Sequence, residues 1–249
     1  MKVTVCELPD DRIEFLSAWN QLILDTKNMT DLLLLPELPF SSWFGRTTNF
    51  NKNIWEQSCK DHDSMITRFP ELFQSIVLGT RPVTKNDKRL NRGFYWTAEQ
   101  GYKGIHDKFY LPEEEDFYEQ TWFDRNNKDF SLLTIKDVLI GFQICTEVMF
   151  NEWSRYYGKK GANIIVVPRA TSAHDRWEVA LRMAAIASGC FVLSSNRSDN
   201  EIFGGKGYII DPDGKVLAST SKEHPTITCD INLEKSNIAK TTYPREVPE

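Results

Sequence analysis

Residues 137–150 read DVLIGFQICTEVMF. From Val138 to Ile144 the run is apolar apart from Gln143, and it stops at a thiol, Cys145, with Thr146 and Glu147 directly behind it. A short, continuously apolar run suits a strand covered on both faces, not the alternation of a half-solvated strand. DLLLLPEL (31–38) and ANIIVVPRA (162–170) repeat the pattern, and each delivers a charged residue beside a proline, Glu37 and Arg169. Segments of helical spacing lie between these runs. RIEFLSAWNQLILDTKNM (12–29) places Ile13, Leu16, Trp19, Leu22 and Ile23 on one face. NKNIWEQSCKDHDSMITRFPEL (51–72) is helical in part, NEWSRYYGKKG (151–161) stops at Gly161, and DRWEVALRMAAIASGC (175–190) packs its alanines on one face and ends at a glycine. Further strands are expected in KVTVCEL (2–8), SIVLGTRPVT (75–84), GFYWTAE (93–99), FVLSSNR (191–197) and HPTITCDINLE (224–234). GGKGYIIDPDGKVLAST (204–220) carries an Asp-Pro-Asp-Gly turn signal. Alternating strands and helices with apolar strands imply a mixed α/β chain, a sheet covered by helices on at least one face.

The chain has 249 residues, enough for one large core, and no linker, repeat or low-complexity segment divides it. It reads as a single domain over 1–249, with a polar tail from about residue 234 that has no clear periodicity. A net charge of −5 is the opposite of a nucleic-acid footprint. No apolar run approaches the ~18 residues of a membrane span, and the N-terminus lacks a signal-peptide core, so a cytoplasmic protein is expected. Five scattered cysteines without a CxxC pair suggest neither a disulfide framework nor a zinc site, and no metal or cofactor is expected.

Chemistry is concentrated where strands end, the usual place for sites in layered α/β folds. Cys145 taken alone is more often core than nucleophile, because cysteine is among the most buried residue types. A thiol attacks only as thiolate and needs a base or a cation beside it. None of the four histidines has a recognisable Cys-His protease context. A carboxylate could serve as the base where burial raises its pKa, and a lysine could hold the developing oxyanion. Glu37 and Lys108, the latter in the loop IHDKFYLP (105–112), are the candidates for those roles.

The order LLLLPE, HDKFYLP, GFQICTE resembles the nitrilase, or carbon–nitrogen hydrolase, superfamily, and the likeness extends from residue 1 to about 232. The resemblance implies a Glu-Lys-Cys triad of Glu37, Lys108 and Cys145, and Glu119 matches that family's second glutamate. It implies a four-layer α-β-β-α sandwich, a homodimer or higher homo-oligomer, and no cofactor. The implied chemistry is hydrolysis of a linear non-peptide C–N bond (amide, ω-amide or N-carbamoyl) through a thioester on Cys145. Glu37 would act as general base and acid, with Lys108 and the backbone N–H of Thr146 as oxyanion donors. Direct conversion of a nitrile to an acid passes through the same thioester, and an inactive binding scaffold of the same fold is the non-enzymatic alternative. The partner is a small molecule, with neither nucleic acid nor membrane involved. Phe40, Trp43 and Phe44 follow Glu37 and could wall a pocket, with aromatic core the equal alternative. Arg169 and Arg176 are candidate carboxylate ligands for the substrate. Thr146 stands where that family commonly has an aromatic residue.

Overall fold

The computed structural model describes residues 1–72 and 75–248. In chain order the elements are β1 (Lys2–Pro9), α1 (Arg12–Thr26), β2 (Leu32–Leu34), α2 (Lys52–Ile66), β3 (Ile76–Lys85), β4 (Lys88–Thr97), β5 (Gly101–Asp107), β6 (Glu113–Glu114), β7 (Phe117–Tyr118) and α3 (Glu119–Trp122). Then follow β8 (Leu133–Ile135), β9 (Val138–Phe142), α4 (Asn151–Lys159), β10 (Ile164–Arg169), α5 (Arg176–Ser188), β11 (Phe191–Ser198), β12 (Tyr208–Ile210), β13 (Val216–Ser219), β14 (Thr226–Asp230) and α6 (Glu234–Ala239).

The strands build two sheets joined at one strand. β5-β4-β3-β2-β1 continues through β11 into β10-β9-β8, with β14 beside β1 and the β12–β13 hairpin beside β11. β1 makes the junction by changing partner along its length: Lys2–Cys6 pair antiparallel with β14, and Glu7–Pro9 pair parallel with β11. Ser195 locks this corner, its hydroxyl accepting from the Cys6 N–H at 3.0 Å and donating to the Leu34 carbonyl at 2.6 Å.

Apolar side chains sort into layers accordingly. Val3, Val5, Leu32, Leu34 and Leu78 of the first sheet face Ile140, Phe142, Ile164, Val166 and Leu193 of the second. The opposite face of the first sheet packs Leu33, Leu35, Val77 and Phe94 against Phe15, Trp19 and Leu22 of α1 and Met65 of α2. The second sheet turns Ile165, Val167 and Val192 toward Tyr157 of α4 and Leu181, Ala184 and Ala185 of α5. The result is the expected α-β-β-α sandwich, in which each fully buried aliphatic side chain stabilises by about 1.5–3 kcal/mol.

Local signals account for the helix ends. Asp11 caps α1 by accepting from the Ile13 and Glu14 N–H groups at 2.9 Å, and Gly189 closes α5 at φ +67. Gly158 permits the α4–α5 contact, since a Cβ there would lie 2.2 Å from the Ser188 carbonyl oxygen.

Three expectations need correction. The buried face of α1 is Phe15, Trp19, Leu22 and Thr26, while Ile13 and Leu16 are exposed. The run into Cys145 leaves the sheet at Phe142, and Cys145 opens a 3₁₀ turn, Cys145–Met149. The polar tail contains α6, whose buried Ser236 donates to the Gly189 carbonyl at 2.8 Å; its last residue, Glu249, lies outside the described residues. Among the described residues no helix is long and apolar enough to cross a membrane.

Candidate active site

β2, β9, β10 and β11 end at the same rim of the sandwich, and β5, running with β3, ends there too. Glu37 follows β2, and its N–H donates to the Arg169 carbonyl at the end of β10 (3.1 Å). The chain then turns sharply, with Leu38 at φ +47. The Leu38 N–H donates to Thr80 Oγ1 at 2.8 Å, and the buried Arg197 guanidinium donates to the carbonyls of Leu38 and Ser41 and to Asp10. Lys108 directly follows β5, its N–H bound to the Asn91 carbonyl of β4 at 2.9 Å. Cys145 has φ +52, a conformation disfavoured for any residue with a Cβ, so the surrounding bonds must hold it.

Lys108, Glu37 and Glu119 are all fully buried. The Lys108 Nζ donates to Glu37 Oε1 at 2.8 Å and to Glu119 Oε1 at 2.6 Å. Asn91 Nδ2 donates to the same Glu37 Oε1 at 2.8 Å, so the Oε2 atoms of both glutamates have no hydrogen-bond partner among the described residues. Burial pulls the Lys108 pKa down, but the carboxylates of Glu119 and Glu37 more than reverse this and hold it charged. Burial pushes the Glu119 carboxyl up to about 8, against the pull of Lys108. At neutral pH Lys108 is therefore charged, and Glu119 is protonated below about 8. Burial also raises the Cys145 thiol well above its ordinary range, with Glu37 adding to the rise and Lys108 opposing it. The sulfur lies 4.0 Å from the Ala170 carbonyl oxygen.

A cavity of about 220 Å³ opens at Cys145, lined among others by Glu119, Thr146, Thr171, Phe117, Trp177 and Arg176. Glu114 and Glu115 stand at its mouth, so the acidic run 113–115 is only partly a solvated face. A larger groove of about 820 Å³, between Met1, Asp31 and Lys136, lies at the opposite end of the strands, away from Cys145.

The other candidates separate. Arg176 reaches the cavity, and no carboxylate pairs with it among the described residues. Arg169 does not reach it: it is buried, and its guanidinium is committed to Ser194 Oγ (2.7 Å), Thr171 Oγ1 (2.9 Å) and the Lys206 carbonyl (2.6 Å). Burial lowers its pKa to about 10. Phe40 packs against Phe15, Trp19 and Phe69 in the outer helix layer. Trp43 and Phe44 pack with Phe203, Trp55 and Trp122. All three are core, and Phe117 and Trp177 supply the aromatic wall instead. Asn91 was not legible as a site residue: it is a mid-strand polar residue whose partner is 54 positions away. Glu147 lies two residues after Cys145, yet no local pattern gives it a role.

The sequence profile of the carbon–nitrogen hydrolase family matches residues 2–240. The chain is 29% identical over 231 residues to 2-oxoglutaramate amidase from Bacillus subtilis, covering 86% of this chain and 83% of that protein. It is 30% identical over 112 residues to deaminated glutathione amidase from Synechocystis, covering 42% of this chain and 41% of that one. The crystal structure of a carbon–nitrogen hydrolase from Helicobacter pylori G27 superposes with a TM-score of 0.86 at 20% identity, covering 99% of this chain and 94% of that chain.

Proposed function

This chain belongs to the carbon–nitrogen hydrolase family, and from that premise and the site geometry we propose that Cys145, Glu37 and Lys108 hydrolyse a small carboxylate-bearing amide through a thioester. That the protein is a hydrolase of C–N bonds follows from the family and from its amidase relatives. The observation that carries the finer reading is the buried Lys108 ammonium, shared between Glu37 (2.8 Å) and Glu119 (2.6 Å) beside Cys145.

The buried thiol holds its proton, so attack requires a base in place. Glu37 takes the Cys145 proton as sulfur adds to the amide carbonyl carbon. The oxygen, now negative, is held by Lys108 Nζ–H and the Thr146 N–H; one preorganised donor of this kind is worth about 3 kcal/mol of barrier. Glu37 returns the proton to nitrogen, the C–N bond breaks and ammonia leaves. Water then gives a proton to Glu37 and attacks the thioester carbonyl, the C–S bond breaks, and sulfur recovers the proton as the acid departs. Glu119 lines the cavity, and its Oε2 has no hydrogen-bond partner among the described residues, a position suited to orienting the substrate NH₂ and holding Lys108. Arg176 at the mouth would bind a carboxylate at the far end of the substrate, which favours ω-amides and N-carbamoyl acids over neutral amides.

Ammonia release from a panel of ω-amides, N-carbamoyl acids, neutral amides and nitriles, with Cys145→Ala as control, tests this reading. Turnover of ω-amidic acids that Cys145→Ala abolishes is expected. Near-normal activity in that variant would refute the proposed nucleophile. The single domain and the dimer are further proposals, the latter tested by sedimentation.

A further inference from the structure

Cys145 and Lys108 come from different sheets. Lys108 follows β5, an edge strand of the first sheet, and Cys145 follows β9 in the second; no ladder of backbone hydrogen bonds joins these two strands. No shared ladder therefore fixes their relative position directly, and one carboxylate spans the gap. Glu147 Oε1 accepts from the N–H of Phe109, the residue after Lys108, at 2.8 Å. Its Oε2 accepts from the N–H of Ile144, the residue before Cys145, at 2.7 Å. The same Oε2 meets His106 Nε2 at 2.7 Å, while His106 Nδ1 meets the Asp129 carbonyl at 2.8 Å.

Both partners of the imidazole are acceptors. A neutral ring has one N–H and would turn a lone pair toward one of them, so only the imidazolium satisfies both. The pair is buried, and leaving such an ion pair half-made is costly. We propose that Glu147 and His106 are positioning residues, an ionised strut that holds Cys145 in its left-handed turn at a fixed distance from Lys108. The inference rests on the catalytic reading of Cys145 and Lys108 given above.

The strut also carries a pH dependence. Facing His106 are Glu147, the Asp129 carbonyl, and Asp107 on its own strand, which is tied to Arg92 of β4 at 2.6 and 2.8 Å; Lys108 with Glu119 lies beyond. Burial pulls the imidazole pKa down, but Glu147, the Asp129 carbonyl and Asp107 together outweigh it and the net shift is upward from the usual 6.5. A raised pKa means that the strut's contribution is complete below 6.5 and is lost as pH rises through the folded-state value. Deprotonation would then loosen the nucleophile turn on the alkaline side.

Glu147→Gln keeps the shape but turns an NH₂ toward either the Phe109 or the Ile144 N–H. A misplacement of about 1 Å in such a site costs roughly 10²-fold. The expected result is a kcat lower by about 30- to 100-fold, a KM within about threefold, and unchanged circular dichroism. His106→Gln should lower kcat and move the alkaline midpoint of its pH profile, and it carries the same kinetic test if Glu147→Gln does not fold. Long-range ¹H–¹⁵N spectra of labelled histidine, assigned by His106→Gln, should show both ring nitrogens protonated in the wild type at pH 7. A neutral His106 ring at pH 7 would overturn the proposal, as would unchanged kcat and pH profile in both variants. Activity surviving in Cys145→Ala would instead refute the catalytic reading, and the ring's protonation state is read independently of that outcome.

Discussion

Replacing Lys108 with methionine keeps the bulk of the side chain and removes the ammonium between Glu37 and Glu119, bonded to them at 2.8 and 2.6 Å. Removing one partner of a buried pair costs about 3–5 kcal/mol when the other charge stays behind. The carboxylate left behind can escape by taking a proton, and that route sets a ceiling. Protonating a carboxyl with a solution value near 4.3 costs about 5 kcal/mol at pH 8 but only about 1 kcal/mol at pH 5. A carboxyl left without its ammonium has to respond. In the variant that group's folded pKa lies above its unfolded one, so stability is retained at low pH and lost as pH rises. Thermal melts of both proteins from pH 5 to 8 should show a deficit of a few degrees at pH 5, growing to roughly 10 °C at pH 8. The same substitution should lower kcat/KM by about 10²-fold or more through loss of the oxyanion donor. A deficit that stays constant with pH, or one below about 1 °C at pH 8, would refute the pairing of the Lys108 ammonium with these buried carboxyls.

Glu119→Gln imitates the protonated acid; because the wild-type carboxyl sits near 8 in the folded chain, its Tm should fall relative to the variant's as pH rises from 5 to 8, and a difference independent of pH would contradict the assignment. Arg176→Ala should raise KM for free-acid substrates roughly 10- to 100-fold while leaving their methyl esters unaffected, and equal effects on acid and ester would remove Arg176 from substrate binding. Gly158→Ala places a Cβ 2.2 Å from the Ser188 carbonyl oxygen, so α4 and α5 must separate. A cost of about 1–3 kcal/mol or more is expected, and an unchanged Tm would mean that the helices move apart freely.

A helix-covered sheet was legible because its central strands are written as apolar runs, and a strand buried on both faces has little alternative, whereas the four-layer order of the sandwich was implied only by the family resemblance. The expected face of α1 holds at Trp19 and Leu22 and fails at Ile13 and Leu16, because that helix is apolar on more than one side. Spacing alone admits both the Ile13–Leu16 and the Phe15–Trp19 stripes, and the aromatic stripe fills the space over the first sheet. The extra strand length assigned before Cys145 has a similar origin, since Ile144 remains buried in the turn and looks like strand. Glu37, Lys108, Cys145 and Glu119 could be named because their order resembles that of a family. Arg169 read as a candidate ligand for a substrate carboxylate because sequence cannot show that Ser194, Thr171 and Lys206 consume its donors. Asn91, Arg197 and the His106–Glu147 pair act through partners between 41 and 187 positions away, a separation at which no local pattern survives.

The central claim is that the acyl group passes through Cys145. Intact and peptide mass spectrometry on enzyme quenched during turnover of a slow ω-amide substrate reads this directly. The account expects a mass increase equal to the acyl fragment, confined to the peptide containing Cys145 and lost on treatment with hydroxylamine. Turnover with no adduct on Cys145, or an adduct on another residue, would contradict it.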